Sequence, residues 1–492
     1  MPEIRSINPI SGDVQFDPLP ETSSSELEET LRHSVLAHAQ WSRVSHRERA
    51  VALRAIAGAL EGKAEALAKV ADAETALGFE RLVGEVGRTV FQLRMFAEGL
   101  ESGDLLRVNS DEPVPGPPPV GRPKLSRRSV PLGPVAVFGA SNFPFAFGEI
   151  GGDTASALAA GCSVVIKEHP GHPTLAAEVI AVAREALEAC EVDPNVISGV
   201  RGFDAGRQLV THPDIHAVGF TGSESAGRSL FDLATSRPSP IPFYGELGSM
   251  NSVFITQSAV TARGEALAAE AIASINLGRG QFCTKPSLIV VSHDEAFVEA
   301  LAAASRSVAP GPLLAPSSAQ RYMSSIQQLR DDPEVFDIVA PSRDESGLQI
   351  GASLLGISSQ SFREKPDRYL LECFGPTSLV IQCESDEEFL EIAEVLEGAL
   401  VGTIQAEPES DSELVRHLLE KLETLVGRIV LNGWPTGVAV SPWQHHGGPY
   451  PASTSSLHTS VGLQAIMRFV RPVVLQNADS ADWPQIVQAW ES

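Results

Sequence analysis

Cysteine is scarce in this chain: five residues in 492, Cys162, Cys190, Cys283, Cys373 and Cys383, with no Cys-x-x-Cys pair among them. That scatter argues against a disulfide frame or a structural zinc site and fits a reducing compartment. Basic side chains are also short, 37 Lys and Arg against 62 Asp and Glu, for a formal charge of −25. A surface of that sign repels nucleic acid and anionic membrane, so neither is an expected partner. No apolar run approaches the roughly 20 residues that would span a bilayer. The start, Met1-Pro2-Glu3-Ile4, lacks the basic-then-apolar pattern of a secretory leader, and the expected location is the cytoplasm. What remains, 43% hydrophobic and 20% charged residues, is the composition of a globular enzyme too long for a single core.

Residues from about Ser24 to Gly99 read as helices, with Leu27, Leu31, Val35 and Leu36 on one stripe. The run Pro113-Val114-Pro115-Gly116-Pro117-Pro118-Pro119 continues neither a helix nor a central strand and reads as a surface connection, followed by an exposed ribbon from Lys124 to Arg128. From Gly133 onward short apolar strands alternate with helices: strands around Val135, Val164, Ile197 and Val218, helices over 151–160 and 176–190. That alternation predicts an α/β fold with a parallel sheet covered on both faces. A second alternation runs from about Asn251 to Gly433, and Val470 to Leu475 forms a late strand.

The chemistry centres on Cys283, in Gly278-Arg279-Gly280-Gln281-Phe282-Cys283-Thr284, and Glu246, in Tyr244-Gly245-Glu246-Leu247-Gly248. A glycine-flanked thiol and a glycine-flanked carboxylate, each between apolar stretches, suit a soft nucleophile paired with a base. The alternative for Cys283 is a buried inert thiol, the expected fate of the other four cysteines. Asn142, on a turn after a strand, either donates to a developing oxyanion or closes an Asx-turn. Phe220-Thr221-Gly222-Ser223-Glu224-Ser225-Ala226-Gly227 carries a strand into a helix; it is either a pyrophosphate turn without the full glycine fingerprint or an ordinary capped helix. Lys167, ending a strand, is a ligand for ribose hydroxyls or a solvated lysine, and Glu372 a ribose contact or a loop carboxylate.

Taken together and in this order, these segments resemble the NAD(P)-dependent aldehyde dehydrogenase superfamily over nearly the whole chain. The resemblance implies a Rossmann-type parallel-sheet cofactor domain (1–111 and 129–250), an α/β catalytic domain (251–432), an oligomerisation ribbon (112–128 and 466–492) and a returning substrate-channel segment (433–465). It implies Cys283 as nucleophile, Glu246 as general base, and Asn142 with the Cys283 main-chain N–H as oxyanion hole. It assigns Lys167, Gly206, Arg207, Gly222, Ser223, Gly227, Leu247, Glu372 and Phe374 to the dinucleotide, with no metal, and implies a homodimer or homotetramer. Three positions depart from the common pattern: Ser249 replaces a glycine, Gly278 an asparagine, and Pro170 a glutamate that binds adenosine ribose. Losing that glutamate removes a repulsion against a 2′-phosphate, and Arg207 offers a partner for it, so NADP is the expected cofactor, with NAD as the other possibility.

The variant motifs, among them Lys167-Glu168-His169-Pro170, Glu246-Leu247-Gly248-Ser249-Met250-Asn251 and His446-Gly447-Gly448-Pro449-Tyr450, resemble the branch that oxidises 2-oxoglutarate semialdehyde. The NADP-linked fatty-aldehyde enzymes share several of them and are the second reading; a non-catalytic member of the fold is the third. An aldehydic acid needs a cation or several donors at its far end, for which Arg279, Ser453 and the Tyr450 hydroxyl are candidates. A fatty aldehyde needs an apolar tunnel, for which Phe143, Phe147 and Ile150 are candidates.

Overall fold

The computed structural model describes residues 2–103, 105–478 and 481–491. Positions 1, 104, 479, 480 and 492, which fall inside the predicted cofactor domain and ribbon, lie outside the described residues.

The helical stretch expected from Ser24 to Gly99 is four helices, Ser24–Trp41, His46–Gly62, Ala64–Thr75 and Phe79–Ser102. The first two breaks are written locally. Ser23 and Ser45 each cap a helix whose third residue, Glu26 or Glu48, reaches back to the cap N–H, a reciprocal arrangement that fixes where a helix starts. Their buried stripes, including Trp41, Leu53, Ile56, Leu93 and Phe96, pack with the strands Val135–Phe138 and Val164–Lys167 in one core.

Those two strands belong to a five-stranded parallel sheet, with Val164–Lys167 and then Ile197–Val200 on one side of Val135–Phe138, and Ala217–Thr221 and then Phe243–Glu246 on the other. The chain therefore works outward from its first strand in one direction and then reverses. In a doubly wound sheet the crevice outside the strand C-termini at that reversal is where ligands lie. All four residues of each of the two central strands are buried, as expected where helices cover both faces.

A second sheet of seven strands runs from Phe336–Val339 through Ser353–Ser358, Thr377–Cys383, Pro286–Ser292, Asn251–Ile255 and Ala399–Gln405 to Val426–Leu431. It is parallel except for its edge strand Phe336–Val339. A separate antiparallel ribbon joins Leu125–Pro131 to Val470–Gln476 on one side and Asn109–Asp111 on the other. Its third strand precedes the predicted start at 112. The proline-rich segment between is exposed and closes on itself through a Val114–Arg122 bridge. No helix among the described residues is long and apolar enough to cross a membrane.

Candidate active site

A cleft of about 970 Å³ lies along the C-terminal edge of the five-stranded sheet and reaches Cys283. Its walls include Asn142, Lys167, Gly206, Arg207, Gly222, Ser223, Leu247, Glu372 and Phe374, with Glu246 beside the sulfur. Sequence-distant residues singled out for different tasks thus share one cavity, and the thiol is partly exposed within it rather than sealed in hydrocarbon.

The turn into the helix Glu224–Thr235 explains its glycines. A Cβ on Gly227 would come within 2.2 Å of the Leu247 side chain, and one on Gly222 within 2.7 Å of Phe220. Ser223 makes no side-chain bond to the first N–H groups of this helix, which leaves them available to an anion. Farther along, Gly206 lets Lys167 pass, since a Cβ there would sit 3.2 Å from the lysine Cγ. Burial lowers the pKa of Lys167 to about 8, with Glu149 and Glu168 opposing it. Arg5, Arg207 and Arg321 line the same cleft as Lys167, and among the described residues the carboxylates lining it are Glu246 and Glu372. Glu168, next to Lys167 in sequence, turns away to Arg201 at 3.1 and 3.2 Å.

The cysteine loop is held unusually. Gly278, Arg279 and Gly280 all have positive φ, 58°, 58° and 69°. A left-handed non-glycine residue is costly unless its surroundings fix it, and asparagine tolerates that conformation well, so glycine for asparagine at 278 preserves the backbone the turn needs. The surroundings are polar and specific: Asn251 Nδ2 donates to the carbonyls of Cys283 (2.8 Å) and Lys285 (2.9 Å). Ser249 Oγ in turn donates to Asn251 Oδ1 at 2.7 Å and accepts from Leu400 N–H at 2.9 Å. The serine that departs from the family's glycine therefore joins the bracing of the nucleophile loop. Asn142 Nδ2 donates to the Gln281 carbonyl at 3.0 Å, tying the other side of the loop.

Beside the sulfur sits a residue that sequence reading did not assign. His446 Nε2 lies 3.5 Å from Cys283 Sγ and 2.9 Å from Glu246 Oε1, and Ser460 Oγ donates to Glu246 Oε2 at 3.0 Å. The thiol, imidazole and carboxylate donor atoms all lie within 4.8 Å of one another. The doublet His445-His446 before two glycines was the available signal, visible only as the end of a motif. Burial pushes the Glu246 carboxyl up, but the His446 charge and hydrogen bonds from His446, Cys283 and Ser460 outweigh it and leave its pKa below the usual value. Cys283 moves the other way: burial, then the neighbouring Glu246 charge and hydrogen bond, then Glu372, raise its thiol well above the ordinary range. Glu372 accepts from Ser249 N–H at 3.1 Å and is raised, chiefly by burial.

Several sequence candidates for the substrate end do not reach the thiol. Arg279 donates to the Ala309 carbonyl at 2.7 Å and lies where a Cβ on Gly311 would be, since its left-handed backbone aims the side chain outward. The Ser453 hydroxyl is spent on the Gly448 carbonyl and accepts from Gly448 N–H at 3.2 Å. The Tyr450 hydroxyl donates to Glu224 Oε1 at 3.3 Å, at the start of the helix on the dinucleotide-turn side. Ile150 is a core residue, 2% exposed. Phe143 and Phe147 do stand near the sulfur: Phe143 packs edge-on against Phe282 with ring centroids 4.7 Å apart, and Phe147 lies 5.9 Å from the His446 ring.

Fold and cleft together define an enzyme, and the family is settled by comparison: residues 2–472 match the model of the aldehyde dehydrogenase family, to which the chain belongs. It is an oxidoreductase that oxidises aldehydes. It is 38% identical over 490 residues to an alpha-ketoglutaric semialdehyde dehydrogenase of Acinetobacter baylyi, covering 99% of this chain and 93% of that one. Alpha-ketoglutaric semialdehyde dehydrogenase 2 of Azospirillum brasilense is 42% identical over 434 residues, 87% of this chain and 82% of the relative. Among solved structures, a 1-pyrroline-5-carboxylate dehydrogenase mutant from Thermus thermophilus matches with a TM-score of 0.82 at 20% identity, covering 96% of this chain and 90% of that chain. Succinic semialdehyde dehydrogenase from Streptococcus pyogenes, in complex with NADP+, matches with a TM-score of 0.81 at 19% identity, covering 96% and 99%. At that identity the solved structures establish the fold.

Proposed function

We propose that this enzyme oxidises 2-oxoglutarate semialdehyde to 2-oxoglutarate through a thioester on Cys283, with NADP as the preferred dinucleotide. The observation that carries the mechanism is the Cys283–His446–Glu246 cluster opening on the long cleft. Residues 129–250 then form most of the nucleotide lobe, residues 251–432 the lobe that carries the nucleophile, and the antiparallel ribbon the contact through which subunits assemble as a homodimer or homotetramer. Identity of 38% and 42% to two alpha-ketoglutaric semialdehyde dehydrogenases favours the dicarbonyl substrate over a fatty aldehyde.

The residues present fit a dinucleotide. Glycines 222 and 227 leave a cradle that side chains would fill, and Ser223 leaves helix N–H groups for the pyrophosphate. Lys167, Glu372 and Phe374 would hold its two riboses. The bound nicotinamide supplies the hydride acceptor. Cys283 gives up its proton to solvent through the cleft and adds to the aldehyde carbon, while the Asn142 amide and the Cys283 N–H face the developing oxyanion. Once the thioester has formed, Glu246 takes a proton from water, which attacks the acyl carbon and releases the acid. His446 and Ser460 hold the carboxylate beside the sulfur, where the attacking water has to arrive.

NADP is favoured by the cations of the cleft wall: Lys167, Arg5, Arg207 and Arg321 line it together with Pro170, and Glu168 is turned to Arg201. A 2′-phosphate would find guanidinium donors and no facing carboxylate. The test is a panel of 2-oxoglutarate semialdehyde and decanal with both dinucleotides, supported by fluorescence titration of each dinucleotide. NADP is expected to bind at least about tenfold more tightly than NAD, and Arg207→Ala to remove most of that margin. A strong NAD preference ends the cofactor reading, and faster turnover of decanal ends the substrate reading.

A further inference from the structure

Arg88 and Arg428 lie within electrostatic reach of the Cys283 sulfur, and a third arginine, Arg81, packs on the ring of the neighbouring Phe282. Arg81, Arg88 and Arg428 make their hydrogen bonds to main-chain carbonyls, those of Asn142 (2.7 Å), Val438 and Pro435 (2.6 Å) respectively. Among the described residues none of the three forms an ion pair. A carbonyl satisfies one N–H of a guanidinium and leaves its charge uncancelled. Arg81 is confined, with its guanidinium 5.2 Å from both the Phe143 and Phe282 rings. Arg88 and Arg428 have donors to spare; Arg88 Nε is buried without a hydrogen-bond partner.

Geometry ties these two to the reacting sulfur. The Arg88 guanidinium lies 5.8 Å from the Phe147 ring, which also neighbours the Phe143 ring at 5.7 Å and the His446 imidazole at 5.9 Å. The carbonyls that Arg428 and Arg88 hold, at 435 and 438, flank Gly437, whose N–H donates at 2.9 Å to the hydroxyl of Thr284, the residue after the nucleophile. Burial lowers the pKa of both arginines, and a negative Cys283 opposes that shift in each, so both sit within its field. Among the described residues, the acid facing Arg81 and Arg88 is Glu85. It accepts N–H groups from Phe145 (2.8 Å) and Ala146 (3.0 Å), and burial raises its pKa, which weakens it as a counter-charge.

We propose that Arg88 and Arg428 form a subsite for the carboxylate at the far end of the substrate, with Phe143 and Phe147 lining the path from it to the thiol. This rests on the reading of the substrate as an aldehydic acid. In a chain of net charge −25 the bulk field opposes an anionic substrate, so recognition has to come from local, unneutralised guanidinium. An alkyl tunnel would instead bury these charges against hydrocarbon at a cost with no return.

The test uses the purified enzyme with kcat/KM for 2-oxoglutarate semialdehyde and for pentanal, and calorimetric binding of glutarate. Wild type is expected to favour the acid, and Arg428→Gln to cut the ratio of the two kcat/KM values by on the order of 30- to 100-fold, carried mainly by KM. The same change weakens glutarate at least about tenfold, and Arg88→Gln repeats both effects. Should Arg88→Gln fail to fold through loss of its Val438 contact, Arg428→Gln still decides. Arg279→Gln, outside the subsite, keeps the wild-type ratio. An unchanged ratio and unchanged glutarate affinity in Arg428→Gln overturn the subsite. A wild type without preference for the acid overturns the substrate reading instead, and glutarate affinity then judges the arginines alone.

Discussion

The two parallel sheets face the cleft from opposite ends. The five-stranded sheet contributes residues just beyond its strand C-termini: Asn142 after Val135–Phe138, Lys167 at the end of its own strand, Gly222 after Ala217–Thr221, and Glu246 closing Phe243–Glu246. The seven-stranded sheet contributes from before its strands: Cys283 precedes Pro286–Ser292, Glu372 and Phe374 precede Thr377–Cys383, and the bracing pair Ser249 and Asn251 stands at the entrance to Asn251–Ile255. The first arrangement follows from the geometry of open α/β sheets, where loops at the C-terminal edge surround a ligand. The second follows from no such rule. Its loops are shaped individually, by three consecutive left-handed residues and a buried amide network. One edge therefore follows a general rule of the fold, while the other is shaped residue by residue.

The sharpest way to break that contrast is to remove the two reacting groups that meet across it. Cys283→Ala is expected to lower turnover by more than about 10⁴-fold, since among the described residues no other thiol lines the cleft. Glu246→Gln should separate the halves of the reaction. Stopped-flow absorbance is expected to show a single burst of reduced dinucleotide near one equivalent per site, followed by steady-state turnover reduced on the order of 10³-fold. Loss of the burst together with turnover would move Glu246 into the first half-reaction, and the division of labour between the sheets would have to be redrawn.

How far the sequence could be read follows the same divide. The βαβ alternation, the ends of the strands at Phe138 and Lys167, and the glycine turn at 222–227 were legible because burial on both faces and close backbone approach leave a compositional trace. The cysteine and glutamate were legible through their glycines and the family's motif order. The arginines were not. Arg279 stood beside the nucleophile in sequence, but a left-handed backbone points it at Ala309. Arg88 and Arg428 lie in the field of the sulfur from a helix and an edge strand hundreds of residues apart, and proximity of that kind leaves no local pattern. Ser249 was visible as a departure, but its compensation, a hydroxyl bonded to Asn251, appears only in three dimensions.

A smaller effect sharpens the role of the bracing network. Asn251→Ala deprives the carbonyls of Cys283 and Lys285 of their shared donor, at about 1–3 kcal/mol for each group left buried and unpaired. The loop relaxes, and kcat is expected to fall roughly 10- to 100-fold while dinucleotide affinity at the other sheet stays within about twofold. Equal losses in kcat and dinucleotide binding would mean that Asn251 serves the whole fold rather than the nucleophile loop.

The smallest expected effect concerns the charge on the thiol before substrate arrives. Burial raises the Cys283 pKa first, and the ionised Glu246 beside it raises it further. In the enzyme without dinucleotide the sulfur is therefore protonated at neutral pH, and its iodoacetamide alkylation rate should climb about tenfold per pH unit up to and beyond pH 9. Replacing Glu246 by Gln deletes an anion next to the forming thiolate, so the thiol pKa falls. At a fixed pH 8 the variant should then be alkylated faster than wild type, by roughly 3- to 10-fold. The sign is what matters. A slower rate in Glu246→Gln would mean that the carboxylate already acts as the base that draws the proton from the sulfur, strongly enough to outweigh its own repulsion. The electrostatic reading of the cluster would then give way to one in which the carboxylate shares the thiol proton before substrate arrives.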